Sequence, residues 1–131
     1  MSDLHYPADR RYHKDHLWAL VENDGRIRVG ITDFAQEQLD NVIFIELPKV
    51  GDRFKQGTSG AFLESVKATS DAIMPVSGRV AAINEELADE PELVNADPYG
   101  KGWLMLLEPD GPSDAEDGNL IGAGEYAAML G

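Results

Sequence analysis

Cysteine is missing from the 131-residue chain. Disulfides, zinc–thiolate centres and cysteine nucleophiles are therefore excluded. Long apolar runs are missing too. The longest, Val42 to Ile45 and Leu104 to Leu107, have the length of strands and fall far short of the ~20 residues of a membrane span. The stretch from Met1 to Asp15 is polar and has no apolar core of the kind a secretory leader needs, so a cytoplasmic protein is expected. Basic charge is scarce, with 11 Lys and Arg against 24 Asp and Glu and a net charge of −13. Phosphate backbones would be repelled, so no nucleic acid is expected. The acids are spread along the chain; they suit either docking to basic partner surfaces or a salty habitat. No phosphate-binding glycine loop is present. Gly100-Lys101-Gly102 and Gly122-Ala123-Gly124 lack a strand–helix context.

What is present reads as one domain over 1–131, with an N-terminal arm (1–11) and a C-terminal helical segment (119–131). Short β-type segments dominate, punctuated by turn residues. Leu17 to Glu22 and Arg26 to Ile31 flank Asn23-Asp24-Gly25 and predict a hairpin. Asp33, with Gln36 three residues on, predicts a capped helix over Phe34 to Leu39. Val42 to Leu47, Ala61 to Val66, Asp71 to Met74, Arg79 to Ile83 and Trp103 to Leu107 read as strands, and Asn84 to Leu87 and Pro91 to Val94 as helical turns. Glu108 to Gly118 reads as an acidic connection, and Glu125 to Leu130 as a terminal helix. The fold class is mainly β with a few short helices, a sandwich or a small barrel.

The chain has only five lysines: Lys14, Lys49, Lys55, Lys67 and Lys101. Lys67 alone sits between two strand candidates, in Glu64-Ser65-Val66-Lys67-Ala68-Thr69-Ser70-Asp71. A lysine at a hairpin tip is open to a modifying enzyme, and acylation turns it into a long neutral arm on a fixed base. Placement alone is weak support, since exposed lysines in turns mostly serve solvation.

Several separated motifs add to it. They are Gly30-Ile31-Thr32-Asp33-Phe34-Ala35-Gln36, Glu64 to Asp71, Pro75-Val76-Ser77-Gly78 and Leu93-Val94-Asn95-Ala96-Asp97-Pro98-Tyr99-Gly100-Lys101-Gly102-Trp103-Leu104. On these motifs the sequence from Tyr12 to about Tyr126 resembles the H protein of the glycine cleavage system, a lipoyl carrier. The resemblance implies a barrel-sandwich hybrid fold and lipoate in amide linkage to Lys67. It implies that Glu64, Ser65, Val66 and Ala68 are read by the lipoate-attaching enzyme, and that Asp71 lies near the loaded arm. Val66 and Ala68 stand where biotin carriers usually have methionines. The implied protein is a non-catalytic carrier that shuttles an intermediate and electrons between glycine cleavage enzymes, with dihydrolipoamide dehydrogenase among its partners. The lack of cysteine suits such a carrier, which then cannot trap its own cofactor in a mixed disulfide.

One position departs from the family. Its His-Glu-Trp motif matches His16-Leu17-Trp18 here, and the family glutamate contacts the amine of the cargo. Leu17 cannot do so; Asp15 or Asp71 could compensate. The departure opens a second reading, a related lipoate-binding protein that carries sulfur for a heterodisulfide-reductase-like complex of sulfur oxidation. A third is an unmodified interaction module.

Other groupings read more plainly. His5, His13, His16 and Asp15 could ligate a metal, but surface histidines on a mobile arm are the expectation, with no metal. Glu85-Glu86 and Asp89-Glu90 read as a solvated acidic face rather than acid–base catalysts. Trp18 and Trp103 read as packing residues.

Overall fold

The computed structural model describes residues 4–110 and 120–130. Among the described residues, ten strands alternate with three short helices. The strands are β1 (Arg11–His13), β2 (Leu17–Val21), β3 (Ile27–Ile31), β4 (Val42–Glu46), β5 (Arg53–Phe54), β6 (Ser59–Ser65), β7 (Thr69–Ile73), β8 (Gly78–Ile83), β9 (Met105–Pro109) and β10 (Leu120–Ile121). The helices are α1 (Asp33–Leu39), α2 (Leu93–Ala96) and α3 (Ala123–Leu130), and a single 3₁₀ turn spans Glu85–Ala88. A seven-stranded antiparallel sheet runs β10-β1-β2-β3-β9-β8-β5, and a separate three-stranded sheet runs β4-β6-β7. The larger sheet curls into a half-barrel that the smaller one faces, a barrel-sandwich hybrid of mainly β structure with few short helices.

Alternation explains why these segments are strands. On β6, Ala61, Leu63 and Ser65 are buried while Phe62 and Glu64 between them are half-exposed. Ala61 and Leu63 of this set meet Leu17, Val29, Ile31, Val80, Met105 and Leu107 of the larger sheet in the main core. Burying this apolar surface is the principal force holding the two sheets together.

β2 is covered on both faces. Leu17 and Ala19 enter the main core, whereas Trp18 packs behind the sheet in a second cluster with Tyr12 and Tyr126. Trp18 lies directly across from Gly30 in the β2–β3 register. A Cβ on Gly30 would fall 2.6 Å from the indole, so glycine is what lets the ring lie over its neighbour. The indole Nε1 donates to the Pro98 carbonyl at 3.0 Å.

The arm is packed down rather than loose over residues 4–10. Arg10 lies over the Trp18 ring at 4.6 Å and the Tyr99 ring at 5.3 Å, and the Tyr99 hydroxyl donates to the His5 carbonyl at 2.6 Å. His13 departs from the surface expectation. It sits within β1, between β2 and β10, and is only 3 % exposed. The sequence reading passed over β1, β5 and β10, which have two or three residues each; β5 and β10 form only against distant strands, and β1 is held between β10 and its chain neighbour β2. The acidic connection over Glu108 to Gly118 lies outside the described residues from 111 onward.

The helix α1 is capped by Thr32, whose hydroxyl accepts from the Ala35 amide at 3.2 Å. The predicted cap, Asp33, is instead the first helical residue and accepts from the Gln36 side chain at 2.7 Å. Asn95 on α2 joins three elements at once. It accepts from the Val42 amide at 2.9 Å and donates to the Asp40 carbonyl at 2.7 Å and to Gln36 Oε1 at 3.1 Å. The smaller sheet is thereby pinned at the start of β4.

Candidate functional site

The β6–β7 hairpin carries the site. Its turn, Ser65 to Ala68, closes with the Ser65 amide donating to the Ala68 carbonyl at 2.8 Å. The Ser65 side chain is buried and does most of the shaping. Its hydroxyl accepts from the Lys67 and Ala68 amides at 3.3 and 3.0 Å and donates to the Ala68 carbonyl at 3.0 Å. The Val66 amide is held from outside the hairpin, by the Asn41 carbonyl at 3.0 Å. Val66, Lys67 and Ala68 are all exposed, so the turn presents the Lys67 amine on a braced base.

The two neighbouring acids share the outward face of the hairpin, two residues apart in register. Glu64 points away from the core, opposite Phe44 on β4 and Thr69 on β7. Asp71, opposite Phe62, is exposed and accepts from the Ser59 hydroxyl at 2.9 Å.

A groove of about 230 Å³ begins at Ala68, Thr69 and Ser70, directly beside Lys67. Its floor is apolar, formed by the buried Leu17, Ile31, Leu39 and Leu63. Its rim carries the exposed carboxylates Asp15 and Asp71. Leu17 is thus part of the floor, 2 % exposed, and both acids weighed as substitutes for it border the same groove. A larger hollow of about 700 Å³ lies on the outer face near Glu46, Phe54 and Phe62, and shares only Asp71 with the groove.

Sequence reading missed the groove's polar wall. His16 lines it with a left-handed backbone, φ 76°, its ring tilted on Phe34 at 4.8 Å. Its Nδ1 lies 2.7 Å from the Tyr126 hydroxyl, which lies 2.8 Å from the Thr32 hydroxyl. Burial pushes the His16 imidazole below its usual pKa, offset in part by Asp15 and reinforced by His13, so the ring is neutral at pH 7. The Tyr126 phenol, fully buried, is pushed up by desolvation. Nothing local in the sequence links positions 16, 32 and 126; only the fold brings them together.

The remaining candidates sit elsewhere. Trp18 is buried in the aromatic cluster and Trp103 lies under the Arg28 guanidinium at 4.7 Å; neither lines the groove. Among the described residues, no three of His, Asp and Glu converge in a metal-binding arrangement, and no helix is long and apolar enough to cross a membrane.

A braced hairpin that offers one lysine to solvent, on a barrel-sandwich hybrid with a groove alongside, defines a carrier domain for a covalently tethered arm. The comparisons with known proteins carry this to a family. Residues 10–131 match the family model described as glycine cleavage H-protein. The probable glycine cleavage system H protein of Natronomonas pharaonis is 52 % identical over 124 residues, covering 95 % of each chain. The glycine cleavage system H protein 2 of Pseudomonas putida is 47 % identical and covers 100 % of this chain and 99 % of its own. The crystal structure of a glycine cleavage system H protein from Mycobacterium marinum superimposes with a TM-score of 0.87 at 38 % identity, over 95 % of this chain and 98 % of that one. The chain belongs to the glycine cleavage H-protein family, lipoate-bearing carriers. The sulfur-carrying reading opened by Leu17 finds no support among these relatives.

Proposed function

We propose that lipoate is attached in amide linkage to Lys67 and that the groove beside the hairpin shelters the loaded arm. The observation that supports this most directly is the placement of Lys67 on the Ser65-braced turn, one residue from the groove mouth. The residues present fit the group. An exposed amine is available for acylation, an apolar floor suits a hydrocarbon chain and a sulfur ring, and a polar rim suits whatever the ring carries. When bound, lipoate supplies a dithiolane that takes up electrons and a reactive group at one enzyme and delivers them at another.

The chain's own residues do the rest. Ser65 and Asn41 hold the turn in shape for the attaching enzyme, which reads Glu64, Val66 and Ala68 around the lysine. Leu17, Leu39 and Leu63 exclude water from the seated arm. The exposed carboxylates contribute to a charge of −13, which steers the carrier to basic patches around partner active sites, among them the glycine cleavage enzymes and dihydrolipoamide dehydrogenase. The carrier itself performs no catalysis.

The test is the intact mass of the protein after incubation with a lipoate ligase, ATP and lipoate. A single lipoyl increment that maps to Lys67 and is absent from Lys67→Arg is the expected result; an unmodified wild type overturns the reading. A further mass gain with glycine and a glycine decarboxylase then assigns the cargo.

A further inference from the structure

The groove's polar wall is more constrained than a carrier of an apolar arm requires. His16 is held at φ 76°, a left-handed conformation that residues bearing a side chain seldom adopt. Its amide donates to the His13 carbonyl at 2.9 Å and its carbonyl accepts from the Thr32 amide at 3.1 Å. Its Nδ1 is engaged by Tyr126, so Nε2 is the ring nitrogen available to the groove.

The hydroxyls of Tyr126 and Thr32 can be oriented two ways. In one, Thr32 donates to Tyr126 and Tyr126 to Nδ1, which leaves the imidazole proton on Nε2. Thr32 then accepts from Ala35 and donates to Tyr126, so every proton in the series is used. In the other, Nδ1–H donates to Tyr126 and Tyr126 to Thr32, and Nε2 offers a lone pair. The two differ by rotation of two hydroxyl protons and a shift of the imidazole proton, with no movement of heavy atoms. Around this switch the groove presents Asp15, Gln38, Thr69, Ser70 and Asp71, and no lysine or arginine.

We propose that His16, positioned by Tyr126, is the groove's hydrogen-bond acceptor for an amine carried on the arm, and that an amine cation turns the Tyr126–Thr32 pair from the first orientation to the second. A protonated amine next to Nε2–H would oppose two donors; next to the Nε2 lone pair it makes a charge-assisted hydrogen bond. Asp15 and Asp71 at the rim balance the charge. This assignment rests on the tethered arm of the proposed function and adds its head-group specificity.

The probe is the lipoylated protein, its arm first reduced by excess dithiothreitol and then alkylated at sulfur. The thiolate displaces bromide from 2-bromoethylamine, giving a stable primary amine, or from bromoethane, giving an uncharged arm that lacks only the terminal ammonium. Nitrogen-15 spectra of the histidine-labelled protein at pH 7.5 report which ring nitrogen of His16 carries the proton. The expected result is the proton on Nε2 in the ethyl form and on Nδ1 in the aminoethyl form. In the aminoethyl form the His16 titration also moves roughly one unit lower than in the ethyl form, a tenfold weaker proton affinity. The groups facing this ring are His13 and Asp15 from its own turn, Tyr126 from α3 and Asp71 across the groove. Tyr126→Phe keeps the ring packing and should abolish the tautomer change. A titration shift without a change of tautomer would mark a charge effect alone and overturn the proposal, as would one tautomer in both forms. A chain that takes up no lipoate overturns the carrier reading with it, whereas a lipoylated chain with an unresponsive His16 overturns this inference alone.

Discussion

The two best-formed hairpins solve the same closure in opposite ways. The β2–β3 turn is local and uses glycine. Gly25 adopts φ 89°, its amide donates to the Glu22 carbonyl at 3.0 Å, and Asp24 accepts from the Arg26 amide and guanidinium at 3.0 and 2.8 Å. The β6–β7 turn contains no glycine and no left-handed residue, and is shaped by one buried hydroxyl, that of Ser65. The first turn is specified by backbone freedom at its own tip. The second is specified from beneath through backbone hydrogen bonds, which leaves the exposed side chains of Val66, Lys67 and Ala68 available for recognition. Substituting the tip should therefore matter structurally in β2–β3 and functionally in β6–β7.

The strongest way to break this contrast is to move the lysine. The double variant Lys67→Arg/Asp24→Lys places an equally exposed lysine on the other hairpin. Lipoate uptake is expected to vanish entirely, and the melting temperature to fall only by what the lost Asp24–Arg26 hydrogen bonds cost, because Lys67 makes no side-chain contact that holds the fold. Uptake at position 24, seen by peptide mapping, would show that exposure on a hairpin suffices and that the Ser65-shaped turn is irrelevant.

Ser65→Ala comes next. It leaves the Lys67 and Ala68 amides without their shared acceptor, a loss of about 1–3 kcal/mol in chemical denaturation. Unlike the lysine exchange it should also slow lipoate attachment, since the tip loses its shape. Ser65→Thr keeps the hydroxyl and is expected to recover most of the rate. Gly25→Ala is the converse: a side chain at φ 89° costs about 1–2 kcal/mol, with attachment at Lys67 unchanged.

The contrast also marks what could be read in advance. The β2–β3 hairpin was legible almost residue for residue, because Asn23-Asp24-Gly25 and the flanking alternation are local. Lys67 was legible as a site only through the resemblance of its surrounding motif, since its turn carries no glycine to announce it. The groove was not legible. Leu17, Phe34, Leu63 and Thr69 come from four separate segments, and its polar wall depends on Tyr126, supplied by a helix 94 residues beyond Thr32. The helix cap failed for a smaller reason: Thr32 and Asp33 are both good caps, and the backbone geometry at Thr32, φ −78° and ψ 167°, settles which one is used.

The smallest expected effect sharpens the comparison from the groove side. Its histidine, unlike the aspartate and lysine of the hairpin tips, carries a group whose charge ordinarily changes between pH 5 and 8. Burial lowers the His16 pKa below the 6.5 usual for an exposed imidazole, so the unfolded chain binds a proton more readily than the folded one. Above pH 6.5 both states are neutral and His16 costs nothing. As pH falls from there toward the lowered native value, the unfolded state gains protons first and stability declines; below that value both states are charged and the loss stops growing. The ring is about half-buried, so the loss is modest and is best read as a difference between wild type and His16→Gln across pH 8 to 5, which cancels the carboxylates common to both. The wild-type curve should run parallel to the variant's above pH 6.5 and fall away from it below. A wild type that gains on the variant as pH drops would mean that protonated His16 is the stabilised form, held by Asp15 more strongly than burial opposes it.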